Sequence, residues 1–123
     1  MKVTLTKRKK EKPDYSKLGF GKYFTDHMLV MTYGDGKWNE PEIIPYDDFR
    51  MDPCTNVLHY GQGIFEGLKA YKTPDGEITM FRPYDNMRRM NKSAERLCMP
   101  AFDADVAVNA IKELIKIDAD WIP

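Results

Sequence analysis

Two spacings of hydrophobic residues divide the chain into a strand-rich first part and a helical second part. Between residues 25 and 81, short apolar runs alternate with turn-forming residues, a pattern typical of strands joined by hairpins. Beyond Arg82 the apolar positions recur about every 3.6 residues, which predicts helices. Strands followed by helices, without a repeating strand–helix–strand rhythm, predict an α+β fold. We expect a small domain with an antiparallel β-sheet of meanders and hairpins, followed by two α-helices.

The predicted strands fall into two groups. Residues 25–33 are largely apolar or β-branched, and the glycines of residues 34–36 accept the positive φ that tight hairpin turns require. Residues 42–44 lie between two prolines, which is typical of a short strand at a sheet edge. A second hairpin is predicted over residues 67–81, because the Pro-Asp-Gly sequence of residues 74–76 supplies the conformations of a turn.

Two amphipathic helices are predicted beyond Arg82. The first has a proline in its first turn and ends before Pro100. Its apolar stripe consists of Met87, Met90, Ala94, Leu97 and Cys98. The second begins after Asp103, a suitable N-cap, and ends near Pro123. Its apolar face consists of Val106, Ala110, Leu114, Ile117 and Trp121.

Composition narrows the class of partner. Nineteen Lys and Arg side chains balance nineteen Asp and Glu side chains among 123 residues, which removes a broad electrostatic attraction to nucleic acid or anionic lipid. No apolar run approaches the roughly 20 residues that span a bilayer. Cys54 and Cys98 lie far apart and form no C-x-x-C pair, so no zinc site or disulfide framework is indicated. We expect a cytoplasmic protein without a metal site.

Residues 1–17 are predicted to be a flexible polar N-terminal segment, and residues 18–123 one folded domain.

Residues 58–67 hold the densest group of glycine and aromatic residues. Their glycines allow close backbone approach, and Tyr60 and Phe65 are suited to the wall of an apolar pocket. The glycine spacing differs by one residue from the dinucleotide-binding fingerprint, and no βαβ unit surrounds it, which argues against a nicotinamide site. His59 has no recognisable catalytic or metal-binding partner, so a structural role is favoured.

Arg88 and Arg89 lie near the start of the first predicted helix. An arginine in this position can add a bidentate fork to the positive end of the helix, an arrangement that suits a phosphate dianion. The pattern alone nevertheless favours two solvated surface arginines.

Three strings of this sequence resemble, in matching order, the opening segments of branched-chain amino acid aminotransferases. They are FGKYFTDHML at residues 20–29, LHYGQGIFEGLKAY at residues 58–71, and FRPYDNMRRM at residues 81–90, the last followed by SAERLCMP at residues 93–100. The resemblance extends from about residue 18 to the end. It implies the N-terminal small domain of a fold-type IV enzyme that uses pyridoxal 5'-phosphate to transfer the amino group of Leu, Ile or Val to 2-oxoglutarate.

The resemblance also implies site residues at the matching positions. Arg89 is expected to hold the phosphate of pyridoxal 5'-phosphate, and Phe20, Tyr60 and Phe65 are expected to line the substrate pocket. The Schiff-base lysine belongs to the C-terminal domain of such enzymes, so the 123 residues alone are expected to contain no catalytic residue and to be inactive. Similar enzymes are usually homodimers.

Two alternatives stay open. D-amino acid aminotransferases and aminodeoxychorismate lyases use a similar N-terminal domain and the same cofactor. The Phe-Thr-Asp-His-Met-Leu string of residues 24–29, together with the Phe-Glu-Gly-Leu-Lys-Ala-Tyr string of residues 65–71, nevertheless resembles the branched-chain group specifically. The chain could instead be a binding module that catalyses nothing.

Overall fold

A computed structural model describes residues 1–123 and confirms the α+β fold. The strands are β1 (Lys2–Val3), β2 (His27–Val30), β3 (Tyr33–Gly34), β4 (Lys37–Trp38), β5 (Glu42–Pro45), β6 (Ala70–Lys72) and β7 (Ile78–Met80). The helices are α1 (Asn56–Tyr60), α2 (Pro83–Arg96) and α3 (Ala104–Ile117). Short 3-10 turns occupy Tyr15–Lys17 and Ala119–Trp121. Helix α1 was not predicted from the sequence.

The strands form three small sheets. The largest has the order β1-β5-β2, and its β2–β5 pair is antiparallel, with His27 opposite Pro45. The β1–β5 pair is parallel, so this sheet departs from the antiparallel arrangement that the sequence predicted. Strands β3 and β4 form a hairpin, as do β6 and β7. Both predicted turns are confirmed, and in the first of them Asp35 and Gly36 have φ of 51° and 77°, the pair of positive angles that a two-residue hairpin turn needs.

Helices α2 and α3 begin where the sequence predicts. Pro83 is the first residue of α2, and the Asp103 carboxylate caps α3 by accepting from the backbone N–H groups of Asp105 (2.8 Å) and Val106 (3.1 Å). Helix α2 ends at Arg96, so Leu97 and Cys98 do not extend its stripe as predicted, and Cys98 has a left-handed φ of 54°. Nowhere is a helix both long and apolar enough to pass through a bilayer.

The hydrophobic core lies between α2 and α3. Met87, Ala107 and Val108 form its buried centre, and Val108 is fully enclosed. The prediction that Val106 faces the core was wrong, because that side chain is 40% exposed. Helix α3 contacts both α2 and β2. The side of α3 that faces these two elements is therefore formed by the buried residues 107, 108 and 110.

A buried carboxylate connects the N-terminal segment to the end of the chain. Asp26 accepts hydrogen bonds from the backbone N–H of Lys10 (2.7 Å), the indole N–H of Trp121 (2.8 Å) and the ammonium of Lys12 (3.2 Å). Burial alone would raise the pKa of the Asp26 carboxyl, but these three donors outweigh it and lower that pKa to about 2. The charged carboxylate therefore stabilises the folded chain.

His27 makes the neighbouring buried connection. Its Nε2 accepts a hydrogen bond from the Thr6 backbone N–H at 2.9 Å, so the ring proton lies on Nδ1, which donates to Asp118 at 2.7 Å. The same carboxylate of Asp118 accepts from the backbone N–H of His27 at 3.0 Å. These bonds give the N-terminal residues defined contacts with the domain, a feature that their composition does not predict.

We expect Asp26→Asn to lower the free energy of unfolding at neutral pH by on the order of 2 kcal/mol, because the charged form is favoured by folding. The lowered pKa of Asp26 stabilises the folded chain fully at pH values above 3.8, the pKa of this carboxyl in the unfolded chain. The stabilisation is lost as the pH falls towards about 2, the pKa in the folded chain. The difference between wild type and variant should therefore shrink between pH 4 and pH 2, as measured by urea unfolding at a series of pH values. Asp75→Asn in the exposed β6–β7 turn is the control and should leave the stability almost unchanged. Equal acid dependence of wild type and Asp26→Asn would contradict the prediction.

Candidate functional site

The glycine-rich loop after α1 lies against α2. Gly61 ends α1 with a left-handed φ of 62°, a conformation that glycine adopts without steric cost. The Gln62 side-chain amide then donates to the backbone carbonyl of Leu97 at 2.7 Å, and the Asn86 amide donates to the carbonyl of Gly67 at 2.7 Å. These two hydrogen bonds attach the loop to both ends of α2.

A bidentate ion pair joins this loop to α2. Nε of Arg89 donates to Oε2 of Glu66 at 2.7 Å, and Nη2 of Arg89 donates to Oε1 of the same carboxylate. Glu66 also accepts from the backbone N–H of Gly67 (2.9 Å) and from the side-chain amide of Asn86 (3.2 Å). The Glu66 side chain is only 8% exposed, whereas that of Arg89 is 65% exposed. The carboxylate is therefore fixed and screened, while the guanidinium reaches solvent.

The charges of the pair reinforce each other. The hydrogen bonds from Arg89 are the largest cause that lowers the pKa of the Glu66 carboxyl to about 2. Desolvation opposes them, and smaller contributions from the bonds of Asn86 and Gly67 act in the same direction as Arg89. In return, the hydrogen bond to Glu66 raises the pKa of Arg89. Both groups are consequently charged over the whole physiological pH range.

Beside this pair lies an open cavity of about 450 Å³. Its charged lining consists of Lys69, Arg82, Asp85 and Arg89, so three cations face one anion. Arg82 precedes the first residue of α2 and has a left-handed φ of 48°, which is unusual for a residue with a side chain. The cavity combines excess positive charge with the start of a helix, an arrangement that can bind a phosphate-sized anion.

The three aromatic residues expected in a substrate pocket do not line this cavity. Phe20 is fully exposed, and Tyr60 and Phe65 are 83% and 87% exposed. The structure therefore brings none of them to Arg89, and their role in binding a substrate stays a prediction.

Other polar groups near the site have local structural contacts. Nε2 of His59 donates to the carbonyl of Pro53 at 2.6 Å, in line with the structural role favoured from the sequence. Arg88 pairs with Asp85 within the first turns of α2. No three His, Cys, Asp or Glu side chains come together as metal ligands.

Sequence reasoning missed Glu66 and Asn86. Glu66 is 23 residues from Arg89, so no helical or strand periodicity connects them. The available signal was an acidic residue inside the glycine-rich string and an amide three residues before Arg89.

A larger cavity of about 750 Å³ lies elsewhere, between the β4–β5 connection and α3. Its walls include Met31, Trp38 and Val106, and its rim carries both acidic and basic side chains. Because it offers no concentrated charge and none of the expected site residues, we place the candidate site at Arg89.

No known family profile matches the chain. The chain is, however, 50% identical to the branched-chain-amino-acid transaminase 1 of Bacillus subtilis, over 93% of this chain and 32% of that protein. It is 51% identical to the branched-chain-amino-acid aminotransferase 2 of the same organism, over 100% of this chain and 34% of that protein. The cytosolic branched-chain-amino-acid aminotransferase of Saccharomyces cerevisiae is 47% identical, over 100% of this chain and 33% of that protein.

The chain spans about a third of the length of these curated relatives. About half of its residues are identical to theirs across almost the entire 123 residues. The chain is therefore a homologue, over its whole length, of one third of a branched-chain-amino-acid aminotransferase.

Proposed function

We propose that this chain is the N-terminal small domain of a branched-chain amino acid aminotransferase, which transfers the amino group of Leu, Ile or Val to 2-oxoglutarate. The identity to the Bacillus and yeast relatives over nearly all of the chain supports the activity. The observation that carries the proposal within the structure is the cationic cavity at Arg89. We also propose that the complete enzyme is a cytoplasmic homodimer, since the yeast relative is named as cytosolic and similar enzymes are usually dimers.

The residues around the cavity fit the phosphate end of pyridoxal 5'-phosphate. Arg89 uses Nε and Nη2 on Glu66, and its Nη1 makes no hydrogen bond within the chain. Lys69 adds positive charge to the same lining, and Arg82 adds a second guanidinium, whose Nε pairs with Asp85. A phosphate dianion is bound well by such a group of cationic donors, because charge-assisted hydrogen bonds are stronger than neutral ones.

In this proposal the chain holds and orients the cofactor, which when bound supplies the electron sink of transamination. Arg89 binds the phosphate and so fixes one end of the cofactor. The lysine that forms the Schiff base is proposed to lie in the part of the enzyme outside these 123 residues.

We further propose that Phe20, Tyr60 and Phe65 line the pocket for the branched side chain. A dry apolar surface favours such a substrate by about 0.8 kcal/mol for each buried methylene group. The three rings are exposed in the 123-residue chain, so a dry pocket requires that another part of the enzyme covers them. Twenty large hydrophobic side chains are exposed in the chain, which supports its packing against further protein.

We expect Arg89→Gln to weaken the binding of inorganic phosphate about tenfold, because a charge-assisted hydrogen bond is lost. The binding can be followed by the shifts of backbone amide signals of residues 67–71 and 82–89 in the NMR spectrum during a phosphate titration. Arg96→Gln is the matched control, since Arg96 is an exposed arginine at the other end of α2 that makes no ion pair and does not line the cavity. Equal phosphate affinity of wild type and Arg89→Gln would contradict the assignment of Arg89.

We expect the purified 123-residue chain to form no glutamate from leucine and 2-oxoglutarate in the presence of pyridoxal 5'-phosphate, because the Schiff-base lysine is absent from its matched strings. The measurement is leucine-dependent glutamate formation against a blank without protein, with the Bacillus subtilis aminotransferase 2 as the active control. Glutamate formation above the blank would show that a lysine of this chain suffices.

A further inference from the structure

We propose that Glu66 and Asn86 are positioning residues for Arg89. They hold the Nε and Nη2 edge of its guanidinium so that the Nη1 edge faces an anion in the adjacent cavity. The inference rests on the proposed function for the identity of that anion, a phosphate monoester, and adds the two residues that prepare its binding site.

The Glu66 carboxylate is held independently of Arg89. The backbone N–H of Gly67 and the side chain of Asn86 both donate to it, and Asn86 is itself held by the carbonyl of Gly67 at 2.7 Å. With the two bonds from Arg89, the carboxylate accepts four hydrogen bonds, enough to fix both of its oxygens. Glu66 is therefore the stationary member of the pair.

Arg89 needs such a partner because its side chain is long and mostly exposed. An exposed arginine samples many rotamers, and ordering it at the moment of binding reduces the affinity for a ligand. The ion pair with Glu66 orders the guanidinium during folding, before any anion arrives. The planar fork allows two edges to be used at once, one by the carboxylate and one by the anion.

A carboxylate beside an anion site could also compete with the anion for the arginine. Three observations argue against competition. Glu66 does not line the cavity, Nη1 of Arg89 makes no bond within the chain, and Lys69 and Arg82 leave the lining with excess positive charge. The repulsion between Glu66 and a bound phosphate is further weakened by solvent around the exposed guanidinium.

If Glu66 positions Arg89, its removal should weaken phosphate binding, whereas if Glu66 competes with the anion, its removal should strengthen phosphate binding. In the 123-residue chain, Glu66→Ala should abolish the ordered Nε–H signal of Arg89, measured by the heteronuclear NOE and by solvent exchange in the NMR spectrum. It should also weaken inorganic phosphate binding roughly threefold, although it removes a negative charge. Asn86→Ala should have a smaller effect in the same direction. Glu95→Ala is the matched control, because Glu95 is an exposed glutamate of α2 that does not line the cavity.

Unchanged or tighter phosphate binding by Glu66→Ala would overturn the proposal, and so would an Arg89 Nε–H signal that stays ordered in that variant. Circular dichroism shows whether Glu66→Ala is folded, and if it is not, Glu66→Gln and Asn86→Ala decide by the same two measurements. A wild-type chain whose Arg89 signal depends on Glu66 but does not shift with phosphate would refute the anion site of the proposed function. In that case the ordering measurement alone still decides whether Glu66 positions Arg89.

Discussion

Two buried carboxylates, those of Asp26 and Asp118, set the positions of both ends of this chain. A buried charge without partners is very costly, so each carboxylate must be met by donors from distant parts of the sequence. Asp26 takes donors from Lys10, Lys12 and Trp121, and Asp118 takes both of its donors from His27. The N-terminal segment, β2 and the final 3-10 turn must therefore come together for Asp26 to be satisfied, and β2 must meet the end of α3 for Asp118 to be satisfied.

This constraint matters because the hydrophobic core is small. Only seven hydrophobic residues are buried, whereas twenty large hydrophobic side chains are exposed. Hydrogen bonds and ion pairs between distant segments therefore contribute a large share of the interactions that specify the fold. Much apolar surface stays exposed. The exposed rings include Phe20, Tyr60 and Phe65, the residues proposed to bind the substrate. A domain of this kind holds its shape while keeping those rings available for contact.

The sequence predicted the features that depend on local chemistry. The Asp35-Gly36 turn and the Asp103 cap were found because each follows from neighbouring residues. The exposure of Val106 and the parallel pairing of β1 were not predicted, since both depend on how separate elements pack. At the site, resemblance to known enzymes indicated Arg89, but neither resemblance nor periodicity could indicate the pairing with Glu66 across 23 residues.

The geometry at Arg89 depends on the helices rather than on the sheets. Met87, two residues before Arg89, packs in the core against Ala107 and Val108 of α3. Asn91, two residues after it, exchanges hydrogen bonds with the backbone of Phe102, at 2.8 Å to the carbonyl and 3.0 Å from the N–H. These contacts of Met87 and Asn91 fix the rotation of α2 about its axis. The direction in which the Arg89 side chain leaves the helix is therefore fixed as well. Arg89 meets Glu66 because the helix pair turns that direction towards the glycine-rich loop.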